Sequence, residues 1–329
     1  MKAISSNFKR MLSVHLENGV VEIKKQPLPR IAQGFARIRL LAAGICSTDL
    51  ELQRGYYGFS GTPGHEFVGE LADGTRVVGE INLACGHCDW CARSLGRHCP
   101  NRTVLGIVKH PGAFREFLTL PVVNLHRVPK SISTEHAVFV EPVAAACEIL
   151  DQIRIAKGTP IAVLGDGKLG LLIAQVLQAH GAKVLLLGRH RDKMRFVEWC
   201  GVTAEILPQK PPNRAFPIVV DATGSSEGLR AAIAMCEPRG TVVMKSTVHG
   251  LVPIDTAPAI VNEITLVGSR CGRFEPALRM LASGKVRVGD LISEEFPLDR
   301  TPDAFKRAST KGILKVLLRP PDSLLGLKG

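Results

Sequence analysis

The chain has 329 residues, enough for about two domains with full hydrophobic cores, and 45% of them are hydrophobic, a globular composition. The formal net charge is +12, yet the Lys and Arg residues are scattered, with no basic block and little aromatic interleaving, so nucleic acid is not an expected partner. Met1 to Leu12 lacks the apolar core of a secretory signal, no apolar run approaches the roughly 18 residues of a membrane span, and the nine cysteines fit a reducing compartment, so a soluble cytoplasmic protein is expected.

From Ala3 to about Leu41, short apolar and polar patches alternate around Pro27, Pro29 and Gly34, which predicts small antiparallel strands. The last of them, Ala36 to Ala42, delivers Gly44-Ile45-Cys46-Ser47-Thr48-Asp49 at a strand end. Further on, Gly64-His65-Glu66-Phe67-Val68-Gly69 places a His-Glu pair at the head of another apolar strand. A thiol, an imidazole and nearby carboxylates form a mixed donor set that suits zinc. Cys85, Cys88, Cys91 and Cys99 follow in C-x2-C-x2-C-x7-C spacing, which closes a tetrahedral all-sulfur site. Such a site has no open position, so it is structural. His87 and His98 lie within this cluster but are read as surface residues, because four sulfurs already fill the coordination sphere.

Gly112 to Pro129 contains another strand and closes the first lobe. In Ala137 to Cys147, Glu141 lies inside an apolar run, where a carboxylate is costly to bury without a partner. The dipole of a helix start, with Pro142 at the first helical position, accounts for it equally well. The run Ile161 to Leu164 then stops at Gly165-Asp166-Gly167-Lys168-Leu169-Gly170 and continues into an amphipathic pattern: strand, tight turn, helix. That order makes the turn a dinucleotide site, with pyrophosphate against the helix N-terminus. Lys183 to Leu187 is the next parallel strand. The acid that normally takes ribose hydroxyls about 20 residues past the glycines is missing there. In its place stands Gly188-Arg189-His190-Arg191-Asp192-Lys193, where Arg189 with Arg191 or Lys193 suits a 2'-phosphate. Exposed helix-cap basics are the alternative reading. Strand Phe216–Asp221, turn Ala222-Thr223-Gly224-Ser225, helix Glu227–Cys236 and strands at 240–245 and 264–268 complete the alternation of a doubly wound parallel sheet. The tail from Pro276 reads as helix, short strands, a helix over 301–307 and a last strand, Ile313 to Leu318. Cys147, Cys200, Cys236 and Cys271 are expected in the core, and His249 among others carries no ligand pattern.

Gly-Ile-Cys-Ser-Thr-Asp at 44–49, Pro-Gly-His-Glu-Phe-Val-Gly at 63–69 and the glycine turn at 165–170, in this order and at these separations, resemble the zinc-dependent medium-chain dehydrogenase/reductase family. The resemblance covers nearly the whole chain. It implies an α/β protein with a mainly β GroES-like catalytic domain over 1–145, including the structural zinc lobe. A Rossmann domain binding NADP over 146–272 follows, then a segment over 273–329 returning to the first domain. It also implies an enzyme passing hydride between an alcohol or carbonyl and a nicotinamide, with two zinc ions per chain. Cys46 and His65 would hold the catalytic zinc, and Glu66 and Glu141 compete for the third place. Glu141-Pro142 resembles the Glu-Pro version of that position in sorbitol, threonine and glucose dehydrogenases. Asp49 would orient the His65 ring and Thr48 accept the alcohol proton. The cofactor would meet Gly165, Gly167, Lys168, Leu169, Gly170, Gly188, Arg189, Arg191, Thr223 and Arg270, with NADP preferred and NAD the alternative. Many relatives have His where this chain has Glu51; a Glu there occurs in sugar-oxidising relatives, which points to a sugar or polyol. Simple alcohols and threonine-like amino alcohols are the second reading, and a non-catalytic zinc-stapled NADP-binding protein is the third. Ser47, Glu51, Tyr56, Tyr57 and Phe59 are candidate pocket residues, and the family forms homodimers or homotetramers through its nucleotide lobe.

Overall fold

The structure, a computed structural model, describes residues 10–246 and 253–321. The expected strand start at Ala3 and His249 lie outside the described residues. The chain divides into two compact units, one of Met1–Glu141 with Ile292–Gly329 and the other of Pro142–Leu291. The first division falls close to the expected 145/146. The second comes later than the expected 272/273, because helix Phe274–Ala282 and the turn after it pack with the second unit.

In the first unit, strand Phe35–Gly44 buries Ile38, Leu40 and Ala42 on alternate positions, as a strand packing one face on a core must. Its ten residues pair antiparallel with three partners: Glu66–Glu70, Phe117–Pro121 and, from the far end of the chain, Lys315–Arg319. The register sets Gly44 opposite both Glu66 and Leu317. Strands Leu125–Arg127, Arg76–Gly79 and Ile292–Pro297 complete this seven-stranded sheet. A separate small sheet of Asn82–Leu83, Thr103–Leu105 and Lys109–His110 flanks the cysteine segment.

The second unit is built on six parallel strands in the spatial order Thr203–Ile206, Lys183–Gly188, Pro160–Leu164, Phe216–Asp221, Cys236–Met244 and Thr265–Gly268. The strand order reverses beside Pro160–Leu164, the point where open α/β sheets bind their ligands. The central strands are continuous apolar runs buried on both faces. Thr203–Ile206 was not legible in the sequence: as an edge strand it is largely solvent-facing and needs no apolar run. Helix Val140–Gln152 begins two residues before Pro142, which therefore sits in its first turn, where no helical hydrogen bond is lost. Among the described residues no helix is long and apolar enough to cross a membrane.

Candidate metal centres and nucleotide crevice

Strand Phe35–Gly44 ends just before helix Ser47–Gln53, with Cys46 at the cap between them. The Cys46 backbone N–H donates to Asp49 Oδ2 at 2.8 Å, and the Gly64 N–H donates to Asp49 Oδ1 at 3.1 Å. One fully buried carboxylate thus ties together the two chain segments that carry Cys46 and His65. The same Oδ1 lies 3.5 Å from His65 Nδ1, close enough for the carboxylate charge to act on the imidazole. Donor atoms of Cys46, His65 and Glu66 all fall within 4.8 Å of one another. Burial opposes charge on His65, but Asp49 and then Cys46 outweigh it and hold the ring well above its ordinary value. Thr48 stands in the first helical turn with its hydroxyl 3.8 Å from the Cys46 sulfur.

Glu66 has a partner that sequence inspection missed. Lys315, on the C-terminal strand, donates to Glu66 Oε2, and both side chains are cut off from solvent. The Phe139 ring lies 5.5 Å from the same ammonium. Nothing within the local sequence of either residue announces this pair, which arises only because the last strand docks beside Gly44. Glu141 stands in the first turn of helix Val140–Gln152, outside the cluster of three.

The cysteine segment forms the second cluster. Sulfur separations are 3.5 Å for Cys88–Cys91, 3.5 Å for Cys99–Cys85, 3.7 Å for Cys88–Cys99 and 3.9 Å for Cys85–Cys91. A tetrahedron of Zn–S bonds has sulfur edges of about 3.8 Å, so the four sulfurs fit one zinc. The backbone N–H of His87 leads the groups that draw Cys85 down to about 6. Cys88, despite the Cys91 N–H, is pushed up to about 11 by burial and its sulfur neighbours. Four thiolates at this spacing would repel one another unless a cation stood among them.

In the second unit, Gly165 turns the chain at φ +112°, in the left-handed region. A Cβ on Gly170 would sit 1.9 Å from the Gly165 carbonyl oxygen, so only glycine lets helix Lys168–His180 pack this close. Gly167 caps that helix, and Lys168 and Leu169 open it; a helix N-terminus is where backbone N–H groups favour a phosphate. Thr223 is held in place by Asp221, whose Oδ1 accepts from the Thr223 N–H at 3.0 Å and from its hydroxyl at 2.7 Å. Past Gly188, Arg189 and Arg191 are exposed whereas Lys193 is buried, so of the two partners considered for Arg189 it is Arg191 that reaches solvent beside it. Arg270 is exposed, and its carbonyl oxygen accepts from Lys245 Nζ at 2.8 Å. Lys245 is buried and also donates to the Ala145 carbonyl at 2.6 Å and to Ser269 Oγ at 3.1 Å. Asp166 and Lys245 are the polar residues of this unit that motif reading passed over; each interrupts an apolar or glycine-rich stretch at a strand end.

A family model for the alcohol dehydrogenase GroES-like domain matches residues 32–130, and one for zinc-binding dehydrogenases matches residues 169–283. The sorbitol dehydrogenase of Halalkalibacterium halodurans is 25% identical, covering 95% of this chain and 100% of its own length. The chain belongs to the zinc-dependent medium-chain dehydrogenase family. The D-altritol 5-dehydrogenase of Agrobacterium fabrum is similar to this dehydrogenase at 28% identity over 92% of the chain and 97% of its own. A zinc-binding dehydrogenase from Sinorhizobium meliloti, solved bound to NADP, matches with a TM-score of 0.86 and 27% identity, covering 94% of this chain and 99% of that one. The medium-chain dehydrogenase described here is therefore an oxidoreductase that uses zinc and a nicotinamide cofactor on a small-molecule alcohol.

Proposed function

We propose that this dehydrogenase interconverts a hydroxyl of a polyol or sugar with its carbonyl, using one catalytic and one structural zinc per chain and NADP in preference to NAD. The observation that carries the reading is the convergence of the Cys46, His65 and Glu66 donors beside Thr48, with Asp49 locking both strand ends. Cys46 and His65 are the proposed ligands of the catalytic ion, with Glu66 or Glu141 at the third place; the Glu66 carboxylate, within the cluster, also pairs with the buried Lys315 ammonium. A zinc ion held there would acidify the substrate hydroxyl, and a bound nicotinamide would take the hydride from the carbon that carries it. Thr48 takes the hydroxyl proton at Oγ1 and passes it outward, and Glu51, three residues on along the same helix face, marks the solvent side of that path. The polyol assignment draws on Glu51 and on relatives that act, by name, on sorbitol and D-altritol. The NADP assignment draws on the exposed Arg189 and Arg191 where an NAD site would offer an acid.

A panel of sugars, polyols and simple alcohols with NADP and with NAD, read at the reduced-nicotinamide absorbance, tests this. Substrate-dependent NADPH formation with polyols is expected; turnover confined to simple alcohols or threonine would replace the substrate class. The proposed assembly into a homodimer or homotetramer draws on the edge strand Thr265–Gly268, beside which Ile260 and Val261 are 72% and 75% exposed. Light scattering on the purified protein gives its mass directly, and a monomer at micromolar concentration would reject it.

A further inference from the structure

We propose that Asp166 is a positioning residue that sets the turn presenting Arg189 and Arg191 to the cofactor 2'-phosphate, and so fixes the enzyme's preference for NADP. This rests on the NADP reading above. In a dinucleotide fold the acid near the adenosine ribose ordinarily stands at the end of the second strand, free to take hydroxyls. Here that strand, Lys183–Gly188, ends in a glycine followed by Arg189, and an acid reaches across from the end of the neighbouring strand, out of the glycine turn itself. Asp166 Oδ2 accepts from the backbone N–H of Arg189 at 2.6 Å and of His190 at 2.5 Å. The His190 ring adds contacts from Nδ1 at 3.1 and 3.2 Å to the two carboxylate oxygens. Burial disfavours the charge, but the His190 ring and N–H and the Arg189 N–H outweigh it, so the carboxyl stays below its ordinary range.

The residue opposite is matched to it. A Cβ on Gly188 would lie 2.5 Å from Asp166 Cβ and 2.6 Å from its Oδ2. The space beside the strand end is thus filled by the Asp166 carboxylate and closed to any side chain at position 188. Two consequences follow. The acceptor capacity that would read a ribose diol is spent on the turn. The backbone from which Arg189 and Arg191 project is also held before the ligand arrives, which lowers the ordering cost of binding the phosphate. Glu227 also faces Arg189.

The test uses the full-length, zinc-loaded enzyme and titrates NADPH and NADH by the fluorescence of the bound nicotinamide. Losing charge-assisted hydrogen bonds to the turn in Asp166→Ala is expected to weaken NADPH about tenfold and NADH less than about twofold. Asp166→Asn keeps the shape but loses one acceptor and the charge, and should fall between. Gly188→Ala pushes the carboxylate out from the other side and should reproduce the NADPH-selective loss, even where Asp166→Ala does not fold. Equal weakening of both cofactors would mean simple loop support and would overturn the inference, as would Asp166→Asn binding NADPH as well as wild type or better. The double variant Arg189→Ala/Arg191→Ala reports on the underlying reading. If it leaves NADPH binding unchanged, or wild type binds NADH as tightly as NADPH, the NADP reading falls and the inference with it. If it abolishes the preference while the Asp166 variants retain it, the inference alone falls.

Discussion

The four-cysteine lobe takes all its donors from one short segment, Cys85 to Cys99, and the sulfurs already stand at tetrahedral spacing. The Cys46–His65–Glu66 cluster is assembled from two strand ends, held by a buried carboxylate, with a lysine from the far end of the chain beneath it. One site is closed by local sequence. The other exists only once the whole sheet has formed, and its chemistry depends on polar groups that are themselves not donors. A structural site can therefore fold with its own loop, whereas a reactive site is held by the stability of the unit around it.

The variant expected to separate the two most strongly is Cys99→Ser. It removes a buried donor and the ion with it, which should cost about 4 kcal/mol or more in stability. A calorimetric melt together with zinc analysis should show a large fall and one ion lost; an unchanged melt with full zinc would mean the lobe is held without metal. Next in size is Lys315→Met, which takes the buried ammonium away from the Glu66 carboxylate at a cost of about 3–5 kcal/mol. Adding Glu66→Gln should recover most of that loss in urea unfolding; a double variant no better than the single one would show that the pair is not what holds the strand. Asp49→Asn should weaken zinc at the catalytic cluster about 10–100-fold while sparing the cysteine lobe. Competition with a chromophoric chelator would show two classes of zinc release in this variant, and a single unchanged class would count against the positioning role.

How much of this was legible in the sequence follows the same division. The cysteine spacing, the glycine turn and the central apolar strands depend on neighbours in the chain, so each could be read residue by residue. Lys315 could not, because its partner lies on a strand 249 residues away. Asp166 sat in plain view inside Gly165 to Gly170, but its partners, the amides of Arg189 and His190, come together only across parallel strands. Lys193 reads as an exposed base in the sequence and is buried in the fold, since helix Arg191–Glu198 turns it inward. The later unit boundary has the same origin: helix Phe274–Ala282 has no local signal saying which unit it packs against.

The smallest expected effect is a pH dependence at an ion pair outside both clusters. Partial burial raises the Glu135 carboxyl, but Arg319 and the Glu135 backbone N–H outweigh it and bring the group down to about 2. Arg319 also pairs with Glu295. Because the folded value lies below the ordinary 4.5, the contact stabilises fully above pH 4.5 and its contribution is lost as pH falls from there toward 2. Glu135→Gln should flatten the stability profile slightly in that window and leave it unchanged at neutral pH. A profile with the wild-type slope would remove Arg319 from the list of stabilising contacts.

The central claim is that a metal held by Cys46 and His65 drives hydride transfer, independently of the metal held by the four cysteines. Zinc counted per chain alongside NADP-dependent polyol oxidation, in wild type and in Cys46→Ser, tests it most directly. Two ions and turnover in the wild type, against one ion and no turnover in the variant with its fold intact, is the predicted result. Undiminished turnover by Cys46→Ser, or a fully active wild type holding a single ion, would contradict it.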